Sequence, residues 1–271
     1  LKGLGFDTYC KLYNSGVIPI LDYCSGVWGF NKHSKIESVQ NRAIRFYLGV
    51  HAFAPNIAIT GDVAWLPCET QRKVEMIRLW NRIVCMNNDR LTKVALIHDI
   101  NSKGKNWSKE IKHICEITGY VDFFQSRQPI PLDDVRNCLF TKFKNDWNVS
   151  AVKVPKLRTY VKYKTDYHSE PYVYKIQDRG HRSVLAQFRC GILPLSIETG
   201  RYTDVPVEYR LCLLCESNNV EDEEHFLLSC AQYNDIRLEL WSKVLPLFAN
   251  FHDLTNQQKF EILMSESCVK F

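Results

Sequence analysis

Three thiols and one imidazole stand close together in CLLCESNNVEDEEHFLLSC, residues 212–230 of the sequence. Thiolate sulfur and imidazole nitrogen are the donors of tetrahedral zinc sites. Cys212 and Cys215 are separated by two residues, so a tight turn can aim both at one ion. His225 and Cys230, with four residues between them, can meet across the start of a helix. The ESNNVEDEE stretch between the pairs need only form a loop. Four protein donors leave no open position for water, so the expected cofactor is a structural zinc ion, not a catalytic one. Binding at such a site supplies on the order of 10 kcal/mol, which for a small module is folding free energy. Mononuclear iron is the competing ion, and the histidine argues against it. The acidic run EDEE, residues 221–224, reads as carboxylates serving the N-terminal dipole of a following helix.

Upstream of this cluster the chain is basic. Residues 151–203 carry ten Lys and Arg against four Asp and Glu, a local excess larger than the +5 of the whole chain. LRTYVKYKTDYHSEPYVYKI interleaves Tyr160, Tyr163, Tyr167, Tyr172 and Tyr174 with cations. Cations neutralise phosphates and flat rings stack on bases, so this pairing suits a nucleic-acid strand; a solvated strand or loop with half-buried tyrosines is the other reading. In RGHRSVLAQFRCGILPL a helical wheel puts Arg179, Arg182, Ala186 and Arg189 on one stripe, beside Val184, Leu185, Phe188 and Ile192. Three guanidiniums in a row would match successive phosphates. Arg179, Arg182, Arg189 and Arg201 are therefore the candidate phosphate contacts, with an exposed salt-bridged helix as the alternative.

The elements that must position these groups are helical. SKIESVQNRAIRFYLG opens with a capping-box pattern, Ser34 and Glu37, and stops at Gly49. Its predicted apolar side is Ile36, Val39, Ala43 and Tyr47. CETQRKVEMIRLWNRIVCMNN sets Met76, Ile77, Trp80, Ile83 and Val84 on one face, and the earlier LYNSGVIPILDYCSGVWG reads as a helix interrupted near Pro19. The fold class expected is mainly α: a bundle-like helical region, a small basic segment, and a zinc-knuckle-like C-terminal module. Its boundaries fall at residues 1–100, a poorly defined helical connector 101–150 holding a short helix at DDVRNCLFTKFKNDWN, and residues 151–271. Cys10, Cys24, Cys68, Cys85, Cys115, Cys138 and Cys190 show no paired short spacing and read as free thiols buried as small hydrophobes. That implies a reducing, intracellular compartment, nuclear or cytoplasmic. Apolar runs are short and broken by proline, so no membrane partner is expected. The opening LKGLGFDTYC lacks an initiator Met and a signal pattern, so the chain is expected to be the tail of a longer protein.

Taken together, these residues resemble the C-terminal part of non-LTR (LINE-type) retrotransposon reverse transcriptases. LYNSGVIPILDYCSGVWG followed by IESVQNRAIRFYLGV is similar to the family's run just beyond the polymerase palm. LAQFRCGILPLSIETGRY is a second patch. RLCLLCESNNVEDEEHFLLSCAQYNDIR looks like the family's zinc-binding motif, down to His-Phe-Leu-Leu-x-Cys, a Tyr and then an Arg. Its spacer between Cys215 and His225 is a residue or two longer than many members show, and residues 100–150 match poorly. The resemblance implies Cys212, Cys215, His225 and Cys230 as zinc ligands; Arg42 matches a recurring position to which no role is assigned. The family's Tyr/Phe-Ala-Asp-Asp turn is missing, the adjacent Asp133 and Asp134 lying beyond where a palm would end, and its N-terminal endonuclease is missing too.

The function expected is thus a noncatalytic, nucleic-acid-binding tail of a reverse transcriptase, with RNA or DNA and the upstream polymerase domain as partners. The alternative is a domesticated or degenerate zinc-stapled scaffold for protein interaction.

Overall fold

The structure, a computed structural model, describes residues 3–264. The longer helices are α1 (Phe6–Leu12), α2 (Ser34–Leu48), α3 (Asn56–Val63), α4 (Cys68–Val84), α5 (Leu91–Asn101), α6 (Trp107–Thr118), α7 (Leu132–Val152), α8 (Arg179–Arg189), α9 (Asn234–Val244) and α10 (Asn256–Met264). Among the described residues no strand forms; a single antiparallel bridge joins Leu211 and Val220. No helix among them is long and apolar enough to cross a membrane. The mainly α expectation is met.

The chain divides into two compact units, and neither is contiguous. One comprises residues 10–43 and 65–146, the other residues 1–9, 44–64 and 147–271. The first is built on α4, whose predicted face Met76, Ile77, Trp80, Ile83 and Val84 is buried as the periodicity requires. Ile111, Ile114 and Cys115 of α6, Ile130, and Val135 and Leu139 of α7 join it in one core. Buried Trp80 donates its indole N–H to the Gln128 carbonyl at 3.1 Å, so its large apolar body is buried with its polar atom satisfied. The boundary expected near residue 100 lies inside this core. The stretch 101–150 is no loose connector: Asn106 caps α6 by accepting from the Lys109 amide at 3.0 Å, and α7 runs 21 residues where a shorter helix was expected.

Glu37 does not close a capping box on its own helix. Its carboxylate accepts from the Cys68 and Glu69 amides at 3.2 and 2.8 Å, capping α4 instead and approaching Arg72 at 3.4 Å. A carboxylate at the first turn of α4 meets the positive end of that helix's dipole. The interruption near Pro19 takes the form of a π turn, Tyr13–Val17, with the proline in the first turn of the short helix that follows. Of the seven lone cysteines only Cys68, Cys115 and Cys190 are buried, while Cys24, Cys85 and Cys138 are exposed, so the buried-thiol expectation holds for part of the set.

In the second unit Gly49 ends α2 at φ +75°, a conformation open chiefly to glycine. A Cβ there would also lie 2.8 Å from that of Ser183 on α8. Val39, predicted inward, is exposed; Ile44, Tyr47 and Leu48 form the buried face in this part of α2. The described part of the expected 151–271 module folds with residues 44–64 in the same unit; residues 265–271 lie outside the described residues.

Candidate metal centre

The four predicted ligands converge. Their donor atoms all lie within 4.8 Å of one another, and the cluster could hold a metal ion. Two local structures bring them there. The Leu211–Val220 bridge, with the Cys212 amide donating to the Asn219 carbonyl at 2.9 Å, closes the loop that carries Cys212 and Cys215. His225–Ser229 forms a π turn, closed by the Cys230 amide donating to the His225 carbonyl at 2.8 Å. A π turn takes more than four residues per revolution, so positions five apart return to one side. This explains the His225–Cys230 spacing better than the helix start expected for it.

The separations can be tested against coordination chemistry. With bonds of about 2.3 Å to sulfur and about 2.0–2.1 Å to nitrogen, a tetrahedron has sulfur–sulfur edges of about 3.8 Å and sulfur–nitrogen edges of about 3.6 Å. Cys212 Sγ lies 3.8 Å from Cys230 Sγ, and Cys215 Sγ lies 3.4 Å from His225 Nε2. The sulfur pair is far beyond disulfide length, about 2 Å. Hydrogen bonding to Ser217, whose Oγ is 3.1 Å from the sulfur, lowers the Cys215 thiol to about 6. Burial pushes Cys230 up to about 11. A central cation would draw all three sulfurs to thiolate.

A second layer holds the ligand loops. Arg237 on α9 donates to the Leu227 carbonyl at 2.9 Å and to the Cys230 carbonyl at 2.7 Å, clasping the π turn, with Asn234 Oδ1 at 2.6 Å. The acidic run does more than face a helix dipole. Asp222 accepts from the His225 amide at 2.7 Å, the one contact that fits the dipole reading. Glu221 accepts from the Ser196 amide and hydroxyl at 2.8 and 2.6 Å. Buried Glu223 pairs with Arg158 at 2.6 Å, and Glu224 with Lys162 at 3.3 Å. Burial raises the Glu223 carboxyl against the pull of Arg158. The run therefore ties the ligand loop to the basic segment. Comparison with protein-family models, curated proteins and solved structures finds no match for this chain.

The four candidate phosphate contacts separate on their surroundings. Arg179 is exposed. Arg201 is one-third exposed and lies 3.6 Å from Glu198. Arg182 is buried, donating to the Tyr47 carbonyl at 3.1 Å and the Ile176 carbonyl at 2.8 Å. Arg189 is buried and grips Asp62 through Nε and Nη2, both at 2.9 Å, with Glu170 at 3.0 Å. The outward row of guanidiniums predicted from the helical wheel is therefore not formed: α8 buries Arg182 and Arg189 and exposes Arg179 and Val184. Asp62 also accepts from the Tyr160 hydroxyl at 3.0 Å and the Tyr172 hydroxyl at 2.7 Å. Burial raises both phenols well above their ordinary value and keeps them neutral donors. Of the five interleaved tyrosines Tyr160, Tyr167 and Tyr172 are buried and only Tyr174 is exposed, so they form no open stacking platform. Lys156 pairs with Glu198 and Lys164 with Glu170, each at 2.5 Å.

Asp62 and Arg237 are structural partners that sequence reasoning did not single out, and Glu223, expected to face a helix dipole, pairs with Arg158 instead. Arg237 stood in the quoted motif as an Arg without a role. Asp62 carried no signal, since its partner is 127 residues away.

Proposed function

We propose that the chain is a noncatalytic, nucleic-acid-binding region of the kind found at the C-terminus of non-LTR retrotransposon reverse transcriptases. Its Cys212, Cys215, His225 and Cys230 would bind structural zinc as a knuckle. Zinc would supply folding free energy and no reaction step, because four protein donors close the coordination sphere. The observation that carries this reading is the convergence of all four donor atoms within 4.8 Å of one another, two of the separations, 3.8 and 3.4 Å, lying near the edges of a zinc tetrahedron. The motif resemblance around those ligands supplies the nucleic-acid half. Among the four candidate arginines the exposed Arg179 and the partly exposed Arg201 are the phosphate contacts retained.

Elemental analysis of the purified chain beside Cys215→Ser tests the metal: one zinc per chain is expected, falling well below one in the variant. A gel shift on structured RNA and on duplex DNA, with and without chelator, tests the binding. Retention should weaken on zinc removal and in Arg179→Glu with Arg201→Glu. Binding unchanged by both treatments rejects the proposal.

A second reading is favoured by one observation, the internal pairing of much of the basic segment. With Lys156, Arg158, Lys162, Lys164 and Arg189 bound to carboxylates, the chain could serve as a zinc-stapled scaffold for protein interaction. Under that reading nucleic-acid affinity is weak and its logarithm falls only shallowly with the logarithm of salt.

A further inference from the structure

The turn after α2 and the first half of α8 pack together within one unit. Ser183 Oγ donates to the Gly49 carbonyl at 2.6 Å, and the Arg182 guanidinium lies 4.1 Å from the Tyr47 ring centre. Arg45 donates to the Ala54 carbonyl at 2.9 Å and to Asn56 Oδ1 at 2.5 Å, which ties down the loop carrying residues 51–54. On this fixed base stand side chains that a monomer's core would be expected to take in. Phe46 is 59% exposed, Phe53 69% and Val184 61%. Exposed Arg179 lies over the Phe46 ring at 5.0 Å, and the His51 ring meets Phe53 edge-on at 5.6 Å. The His181 side chain is 86% exposed one turn into α8.

Exposed phenyl rings suit an unpaired nucleic-acid strand: Phe46 has the Arg179 guanidinium over it and the Tyr9 ring offset at 6.4 Å, and Phe53 meets the His51 imidazole edge-on. Each base offers a flat face to a ring, and each phosphate an acceptor to a cation. Asp178 accepts from the His181 amide at 2.9 Å as the helix cap and lies 3.8 Å from the His181 ring, so Arg179 is the cation this face offers a phosphate. A duplex keeps its base faces stacked and could not use the rings. We infer that Phe46, Phe53 and Arg179, with His51 and His181 at the margin, form a docking face for single-stranded RNA or DNA. This rests on the nucleic-acid reading above and adds a stacking platform beside its retained phosphate contact Arg179.

The test measures fluorescence anisotropy of metal-loaded full chain with a labelled oligouridylate, a labelled oligothymidylate and a blunt RNA duplex. Single strands should bind more tightly than duplex. Phe46→Ala and Phe53→Ala should each weaken single-strand binding by about five- to a hundred-fold. Phe46→Trp and Phe53→Trp should retain it, which separates stacking from misfolding. Arg179→Gln should reduce the salt slope by about 0.7, whereas the phenylalanine variants leave it unchanged. Single-strand binding that survives both alanine variants, or a preference for duplex, overturns this face while leaving nucleic-acid binding intact. Failure of the wild-type chain to bind any of the probes overturns both. Sedimentation showing a dimer that Phe46→Ala with Phe53→Ala dissolves would make the face a self-interface and overturn the inference.

Discussion

Arg237 donates to backbone rather than to the donor atoms, and it clasps the π turn between His225 and Cys230. Its guanidinium is mostly buried and holds two carbonyls of the loop that ends at Cys230. Outer-layer partners of metal ligands commonly cost about 10–100-fold in affinity when removed. On the zinc reading proposed above, Arg237→Ala should raise the zinc dissociation constant by about that factor, read by competition against a chromophoric chelator. Arg237→Lys should recover little, because one ammonium cannot span both carbonyls in a fixed fork. An affinity unchanged in the alanine variant would assign Arg237 to helix packing alone. At this scale the convergence of the four candidate ligands was legible, since their types and spacings are local and coordination chemistry restricts them tightly. Arg237 was legible only as a position, because what it binds is backbone and backbone leaves no mark in sequence.

At the scale of elements, helical periodicity locates the helices, but not always the face they bury: Val39 of α2 is exposed. The wheel of α8 separates Arg179, Arg182 and Arg189 from Val184 and Phe188, but a polar stripe need not face water. Buried carboxylate and carbonyl acceptors turned two of those arginines inward. Where periodicity alone decides, as along α4, the predicted face is the buried face. The join between α2 and α8 depends on one glycine. Gly49→Ala combines a left-handed φ with a Cβ only 2.8 Å from that of Ser183, and should destabilise the fold by about 1–3 kcal/mol in urea unfolding. Adding Ser183→Gly should recover the steric part and leave the backbone part, a positive coupling in a double-mutant cycle. Purely additive losses would show that the close approach is not felt.

For the molecule as a whole, contiguous domains were the expectation and interleaved units are the finding. Residues 44–64 belong with residues 147–264 because Asp62 receives Arg189, Tyr160 and Tyr172. Such pairing across 127 residues is invisible to any local pattern. Removing one partner of a buried ion pair costs about 3–5 kcal/mol, because the other charge is left stranded. Asp62→Asn should show a loss of that size, while Asp62→Leu with Arg189→Met should lose much less. A fragment beginning at residue 147 should lack cooperative unfolding even with zinc present. Sharp cooperative melting of that fragment would refute the interleaved account.

The π turn at His225–Ser229 carries a final consequence. Were those residues to relax into an ordinary α-helix, His225 and Cys230 would point about 140° apart, since each residue advances the helix by about 100°. Coordination and regular helicity therefore compete for the same five residues. A cosolvent that rewards α-helix would act on this site as an expelling agent, although it has no affinity for the metal itself.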